Sequence, residues 1–468
     1  MPTAQQQMEG RALRRRLCWL AYLTLAVQVL AALPAQAADP GAAASPWLTA
    51  TNVQPEPPVA QSKNANRPSP RAPAARGETF ARGADLGGDA RRTRFIIDLS
   101  QPVPHQVFTL ADPYRVIIDL PSVKFQLPQG LGASGQGLVK AFRYGLFAPG
   151  KSRIVIDTAG PVLIERAQIV DPRTGAPVRL LVDLTPTDRA TFLARQRPVV
   201  QQARQPALNP PLRQDALACG RGADGRPARP VIVIDPGHGG VDNGAIGISH
   251  VVEKDIVLSV ARRLRDALTA TGRYQVLMTR EEDVFVPLDD RVEFSQRTAS
   301  CLFISIHADS AGIFTHRVRG ATVYTLSETA SDEEARQLAD KENSSDLIAG
   351  LPLPRKSQDE VKSILTDLLQ RENDVRTRFF IGDLTEGLRK TIALTPQPHR
   401  EARFRVLQQV HAPAVLVELG FLTNRTDETL LKSADWQARA AGALAAAIDT
   451  YFSKSKQQAR HPFYQAGR

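Results

Sequence analysis

Val231-Ile-Val-Ile-Asp-Pro-Gly-His-Gly-Gly240 reads as a short apolar β-strand that stops at a proline and runs into a glycine-rich turn. The glycines let the backbone turn sharply and present His238 to whatever pocket lies beyond the strand end. Similar apolar runs recur at Gln275–Thr279, Leu302–Ile306, Thr322–Leu326 and Ala414–Glu418. Between them lie amphipathic stretches, such as Ile256, Val257, Val260, Leu264 and Leu268, spaced for one helical face. Strands separated by helices predict an α/β domain with a central, largely parallel sheet over 231–453. In such sheets chemistry sits beyond the carboxyl ends of the strands.

Histidines and carboxylates stand at those ends. His238 follows the first strand, and Leu302–Ile306 delivers His307, with Ala308 and Asp309 behind it. Glu253 opens the helix after the first strand, and Glu418 ends the strand that begins at Ala414. Two imidazoles, one carboxylate and an open fourth position make the usual catalytic zinc set, with a further carboxylate as base. Taken singly, each residue has a structural reading as well, and a glutamate at a helix start also answers the macrodipole. His250, His316, His399, His411 and His461 are read as structural. The chain has only 3 cysteines, so a four-cysteine zinc module is excluded and any metal is held by His and carboxylates.

Working outward, 93–192 carries an internal repeat. Arg94-Phe-Ile-Ile-Asp98, Arg115-Val-Ile-Ile-Asp119, Arg153-Ile-Val-Ile-Asp157 and Arg179-Leu-Leu-Val-Asp183 share a basic residue, three apolar residues and Asp. Such runs predict strands of a small all-β sandwich, with Phe95 and Ile97 facing inward and the Arg and Asp as cross-strand partners on the polar face. With no clustered His or Cys, this block reads as a binding module. The stretches 38–92 and 193–230 are rich in Pro and polar residues and read as a disordered tether and a linker; 454–468 is a tail. At the start, Arg11, Arg14, Arg15 and Arg16 precede the apolar run Leu17–Leu33 and then Pro34-Ala-Gln-Ala37, the layout of a secretory signal peptide over 1–37. That run is short of the ~20 residues that span a bilayer, so the mature chain is expected outside the cytoplasm and not transmembrane. Export removes Cys18 and leaves Cys219 and Cys301, whose pairing the sequence leaves open. The net charge of +11 is diffuse, without an aromatic-interleaved basic stripe, which sets nucleic-acid binding aside.

Ile234-Asp-Pro-Gly-His-Gly-Gly240, Asn243-Gly-Ala-Ile-Gly247, Glu253-Lys-Asp255, Thr279-Arg280, Ser305-Ile-His-Ala308 and Val417-Glu-Leu-Gly-Phe-Leu-Thr-Asn424 together resemble the catalytic domain of zinc-dependent N-acetylmuramoyl-L-alanine amidases. The resemblance implies one Zn2+ on His238, Glu253 and His307, with Glu418 as catalytic base, and cleavage of the amide between N-acetylmuramic acid and L-alanine of the peptidoglycan stem peptide. Asp309 is a departure, since many relatives carry Asn there. Arg280 could pair with a stem-peptide carboxylate, or form a surface salt bridge with an acid such as Asp283. The repeat block resembles the AMIN domain, a β-sandwich that targets the envelope, and the whole chain resembles the AmiC-type amidases of septal wall splitting in the Gram-negative periplasm.

An insertion over about 327–380 is too long for a plain connection. Ser331–Asp340 and Glu360–Leu369 have helical spacing, with Val361, Ile364, Leu365 and Leu368 on one face and Gly350, Pro352 and Pro354 between the two segments. It resembles the regulatory segment of partner-activated amidases, which covers the site until a degenerate LytM-type activator displaces it. Glu342 is the first candidate for the blocking acid and Asp346 the second. Two other readings stand beside this one: a zinc peptidase cutting within the stem peptide, and a non-catalytic wall-binding protein, which the filled motif positions disfavour.

Overall fold

The computed structural model describes residues 78–170, 177–196, 219, 228–310, 318–351, 364–409 and 411–458, with backbone alone for 364–370 and 456–458. The expected signal peptide, most of the tether, Pro352, Pro354 and the face formed by Val361, Ile364, Leu365 and Leu368 lie outside the described residues or their side chains.

The first domain is a β-sandwich. Its strands are β1 (Thr79–Gly88), β2 (Thr93–Leu99), β3 (Gln106–Leu110), β4 (Arg115–Pro121), β5 (Val123–Phe125), β6 (Val139–Ala148), β7 (Lys151–Thr158), β8 (Val162–Val170) and β9 (Val178–Pro186). They form two sheets, ordered β5-β1-β2-β9-β8 and β3-β4-β7-β6. Phe95, Ile97, Val116, Ile118, Ile156 and Val182 fill the space between the sheets, each fully buried. β1 begins inside the stretch read as tether. Its sequence, Thr79-Phe-Ala-Arg-Gly-Ala-Asp-Leu-Gly-Gly88, buries only Thr79 and Ala81, so no apolar period marks it.

The repeat has a simple physical meaning. β2 and β9 run antiparallel with Arg94 opposite Asp183 and Asp98 opposite Arg179. β4 and β7 repeat the arrangement, with Arg115 opposite Asp157 and Asp119 opposite Arg153. Each Arg-to-Asp run therefore meets its copy head to tail, and opposite charges fall in register. Three of the four pairs close: Arg94–Asp183 at 2.5 Å, Arg179–Asp98 at 3.0 Å and Arg153–Asp119 at 2.6 Å. The fourth does not, because Arg143 of β6 takes Asp157 at 2.5 Å and Arg115 turns elsewhere.

Asp183 gives a test of this pairing. Hydrogen bonds from Arg94 and Arg92 outweigh burial and hold its carboxyl down at about 2. A depressed carboxylate contributes stability above its unfolded value of ~3.9, and loses it as pH falls through the folded value. Since Arg92 is largely exposed and Arg94 partly so, screening leaves about 1–2 kcal/mol of the shift. Asp183→Asn should therefore be less stable than wild type by that amount at pH 5 in urea melts, with the gap closing as pH approaches 2.

Between the domains runs helix α1 (Arg189–Arg195), and Cys219 of the linker pairs with Cys301 at a Cα–Cα distance of 5.3 Å. The second domain contains β10 (Val231–Pro236), α2 (Glu253–Ala270), β11 (Gln275–Met278), α3 (Leu288–Arg297), β12 (Leu302–His307), β13 (Ala321–Leu326), α4 (Glu333–Asn343), α5 (Ser345–Ile348), α6 (Ile364–Arg389), β14 (Leu394–Ala402), β15 (Ala414–Glu418), α7 (Arg425–Lys432) and α8 (Ala434–Gln458). One sheet, ordered β11-β10-β12-β15-β13-β14, is parallel except where β13 meets β15. Ile232 and Ile234 pack on one face with α2 and α8, and Val233 packs on the other with α3 and α4. Covered on both faces, such strands read as continuous apolar runs. β14 escaped sequence reading because Leu394-Thr-Pro-Gln-Pro398 looks like a loop; as an edge strand it tolerates the prolines. The described parts of the insertion are mostly helical, in α4, α5 and the start of α6, and Phe380, Leu384 and Leu388 of α6 belong to the main core.

Candidate active site

β10, β12 and β15 are neighbours in the sheet and mutually parallel, so their carboxyl ends open on one side. His307 and Glu418 are register partners there. His238 lies just past β10 with φ +57°, a region a non-glycine residue enters only when its surroundings hold it. Arg291 does the holding. Buried and paired with Asp235 at 2.8 Å, it donates to the carbonyls of Pro236 and His238, each at 2.8 Å. Asp242 then fixes the ring, 2.9 Å from His238 Nδ1, which leaves Nε2 facing the site.

Glu253 comes from the first turn of α2, with its side chain fully buried. Its two oxygens accept from the Ala245 and Ala308 amides, both at 2.8 Å, and lie 3.2 Å from His238 Nε2 and from His307 Nδ1. Gly244, at φ +65°, is required here: a Cβ would lie 2.6 Å from Glu253 Oε2 and from the His238 ring. Burial opposes charge on Glu253, yet His238 and His307 outweigh it and hold its carboxyl well below the usual range. Burial likewise opposes charge on His238, but Glu253, Asp242 and Glu342 together raise that imidazole well above its ordinary value. Glu418 behaves in the opposite way. Burial, and then the neighbouring Glu253 and Glu342, push its carboxyl well above the usual range. Its Oε2 accepts the Asp309 amide at 2.9 Å, and its Oε1 has no hydrogen-bond partner.

The fourth carboxylate belongs to the insertion. Glu342, near the end of α4, places Oε2 3.4 Å from both His238 Nε2 and His307 Nδ1. Asp346 does not reach the site; its oxygens accept from the Leu288 amide and from Arg405, both at 3.0 Å, so it anchors the segment instead. Lys341 pairs with Asp309, and Ser345 donates to Asp242 at 2.6 Å. A void of about 10 Å³, room for about one water, lies beside His238, His307 and Glu342.

A metal fits these residues. His238 Nε2, His307 Nδ1 and Glu342 Oε1 are buried without a hydrogen-bond partner. His238, His307 and Glu342 form a compact donor group, and Glu253 lies as close to both rings as Glu342 does. Buried imidazole nitrogens aimed at carboxylates need a proton or a metal ion between them, and a set of nitrogen and oxygen donors suits zinc.

Arg280 is a correction. It is 3% exposed, and its guanidinium donates to the carbonyls of Pro236, Gly237, Glu282 and Lys254. It therefore braces the His238 turn from behind and offers nothing to a substrate carboxylate in this conformation. Asp283, its alternative partner, is taken by Lys254 at 2.8 Å. Sequence reading missed Asp242 and Arg291; the only sequence cue to Asp242 was an acid four residues after His238, too common to stand out.

Residues 232–450 match the N-acetylmuramoyl-L-alanine amidase family, and residues 83–184 match the AMIN domain. The N-acetylmuramoyl-L-alanine amidase AmiC of Escherichia coli O6:H1 is 32% identical over 390 residues, covering 79% of this chain and 88% of its own length. The chain belongs to the N-acetylmuramoyl-L-alanine amidase family. AmiC of Neisseria meningitidis serogroup B is 33% identical over 376 residues, covering 78% of this amidase and 88% of the relative. The solved amidase AmiC2 of Nostoc punctiforme is 27% identical, with a TM-score of 0.34, and covers 48% of this chain and 98% of that one. As an amidase of this family the enzyme hydrolyses peptidoglycan, and its first domain is the AMIN domain. No helix among the described residues is long and apolar enough to cross a membrane.

Proposed function

We propose that this amidase is a zinc enzyme held shut by its own insertion, exported to the periplasm, and acting in septal wall splitting once a degenerate LytM-type partner releases it. The observation that carries this reading is Glu342, which reaches both imidazoles that an open site would keep for metal. His238, Glu253 and His307 would hold the zinc, which when bound polarises the scissile carbonyl and acidifies an attacking water. Glu418 takes that water's proton and returns it to the departing alanine nitrogen, so the amide between the lactyl group of N-acetylmuramic acid and L-alanine breaks. Asp242 keeps the His238 ring turned so that Nε2 stays free, and the Asp309 amide aims the Glu418 carboxylate. Val375 and Phe379, four residues apart on α6 and more than half exposed, offer the activator an apolar ridge.

Digestion of purified sacculi, with and without chelator, tests the chemistry. Mass analysis should find intact stem peptides freed from glycan in the absence of chelator; shortened peptides would favour a zinc peptidase instead. Glu342→Ala should raise the activity of the chain alone about tenfold or more, the suppression that a closed-state preference of ~1.4 kcal/mol imposes. Deleting 342–370 should act in the same direction. A folded, zinc-loaded deletion no more active than the parent would end the autoinhibition reading.

A further inference from the structure

We propose that the outer face of the AMIN sheet β3-β4-β7-β6 is an interaction surface for the inhibitory segment, a latch that grips the turn after α5 and thereby keeps Glu342 at the histidines. The proposal rests on the autoinhibition reading above and extends it to the other domain.

A sandwich of this kind normally gives one face of each sheet to water. On β2, Arg94 and Asp98 are indeed partly exposed. On β4 and β7 the equivalent face is covered, and Arg115 and Arg153 are 1% and 5% exposed. The cover is the second domain. Ile117 and Val155 of this face pack with Val241, Phe285 and Ala349, and the Phe147 and Phe285 rings stack 5.9 Å apart.

Three guanidiniums on this face converge on successive carbonyls. Arg115, the one repeat arginine without its cross-strand acid, donates to Leu347. Arg143 donates to Ile348 at 2.8 Å while holding Asp157. Arg153, paired with Asp119, donates to Ala349 and Gly350, both at 3.2 Å. These carbonyls lie at the end of a short helix; that of Leu347 also accepts the Gly350 amide at 2.9 Å, and those of Ile348, Ala349 and Gly350 stand at or beyond its last residue. Charged donors on carbonyls in a buried setting form strong hydrogen bonds, and a buried guanidinium left without them is costly. Releasing the turn therefore strips acceptors from three arginines at once.

Glu342 is tied to this turn by very little chain. Ser345 and Asp346, between Glu342 and the gripped carbonyls, bond Asp242 and the Leu288 amide. α4 cannot swing its glutamate away without moving that stretch, and the stretch cannot move while the AMIN face holds it. An activator that pulls out the insertion must also undock the AMIN domain, or be helped by whatever undocks it.

Two variants test the latch from the AMIN side, neither of them substituting a residue of the site. Gly145 lies on β6 where a Cβ would come within 2.2 Å of the Gly240 carbonyl carbon, so Gly145→Val wedges the domains apart while suiting a strand. The double variant Arg115→Ala, Arg143→Ala removes two of the grips. Hydrogen exchange at the amides of 345–350 and activity on sacculi are measured for both, with Glu342→Ala alongside. Exchange at least tenfold faster, with activity rising toward that of Glu342→Ala, is the expected result. Wild-type protection in both variants overturns the latch. Faster exchange with basal activity, while Glu342→Ala is active, overturns its coupling to the block. If Glu342→Ala is itself no more active than wild type, the autoinhibition reading fails, and the exchange data still decide whether the AMIN face grips the turn.

Discussion

Glu418→Gln should retain its metal and lose ~10²–10⁴-fold in turnover, the range that a positioned acid–base group supplies. Glu418 is fully buried, with one oxygen on the Asp309 amide and the other unpartnered and free for a water proton. Glutamine can still accept the Asp309 amide through its carbonyl oxygen, so the loop stays in place. Its amide nitrogen then points where the basic oxygen stood, and it cannot take a proton. The loss should fall on kcat more than on KM, because the group acts in the transition state and not on bound substrate. The comparison belongs in the Glu342→Ala background, where the carboxylate beside the two imidazoles is gone. Near-full turnover in Glu418→Gln would reduce the residue to a support for the Asp309 loop.

His238→Ala with His307→Ala should abolish both zinc retention, read by metal analysis, and hydrolysis. The two nitrogens are the only unpartnered imidazole donors of the site among the described residues, and without them only carboxylates remain, which hold zinc far less well. Asp242→Ala should sit between these limits, with zinc affinity weakened about 10–100-fold, since the ring it orients stays but loses its fixed tautomer. The AMIN domain should keep its fold in all of these variants, because its core is built from its own two sheets. Stoichiometric zinc in the double variant would place the metal elsewhere.

Much of this was legible in the chain. Apolar runs ending in His238, His307 and Glu418 predict adjacent strand ends, because a parallel sheet puts every carboxyl end on one side. The Arg-to-Asp repeat predicts cross-strand ion pairs, because a two-residue period returns opposite charges to one face. The helical spacing after Ser331 appears as α4, with Glu342 on its inward side. Each of these is a local pattern, repeated over a few residues, that packing had only to respect.

What the sequence by itself determined was therefore the fold class, and it singled out histidines and carboxylates that the fold brings to one end of the sheet. Tertiary structure alone decided where individual side chains turned. Arg280 follows a strand like an exposed residue, yet the tight turn before His238 presents the Pro236 and Gly237 carbonyls to its guanidinium. Asp346 lies one helical turn beyond Glu342, and that single step points it at Leu288 and Arg405, away from the histidines. Arg115 lost its cross-strand acid to Arg143, because a neighbouring strand and a segment more than two hundred residues away meet at the same face. Spacing along the chain encodes which face a residue occupies. Which group from a distant segment arrives at that face depends on how whole domains dock, and no local period carries that information.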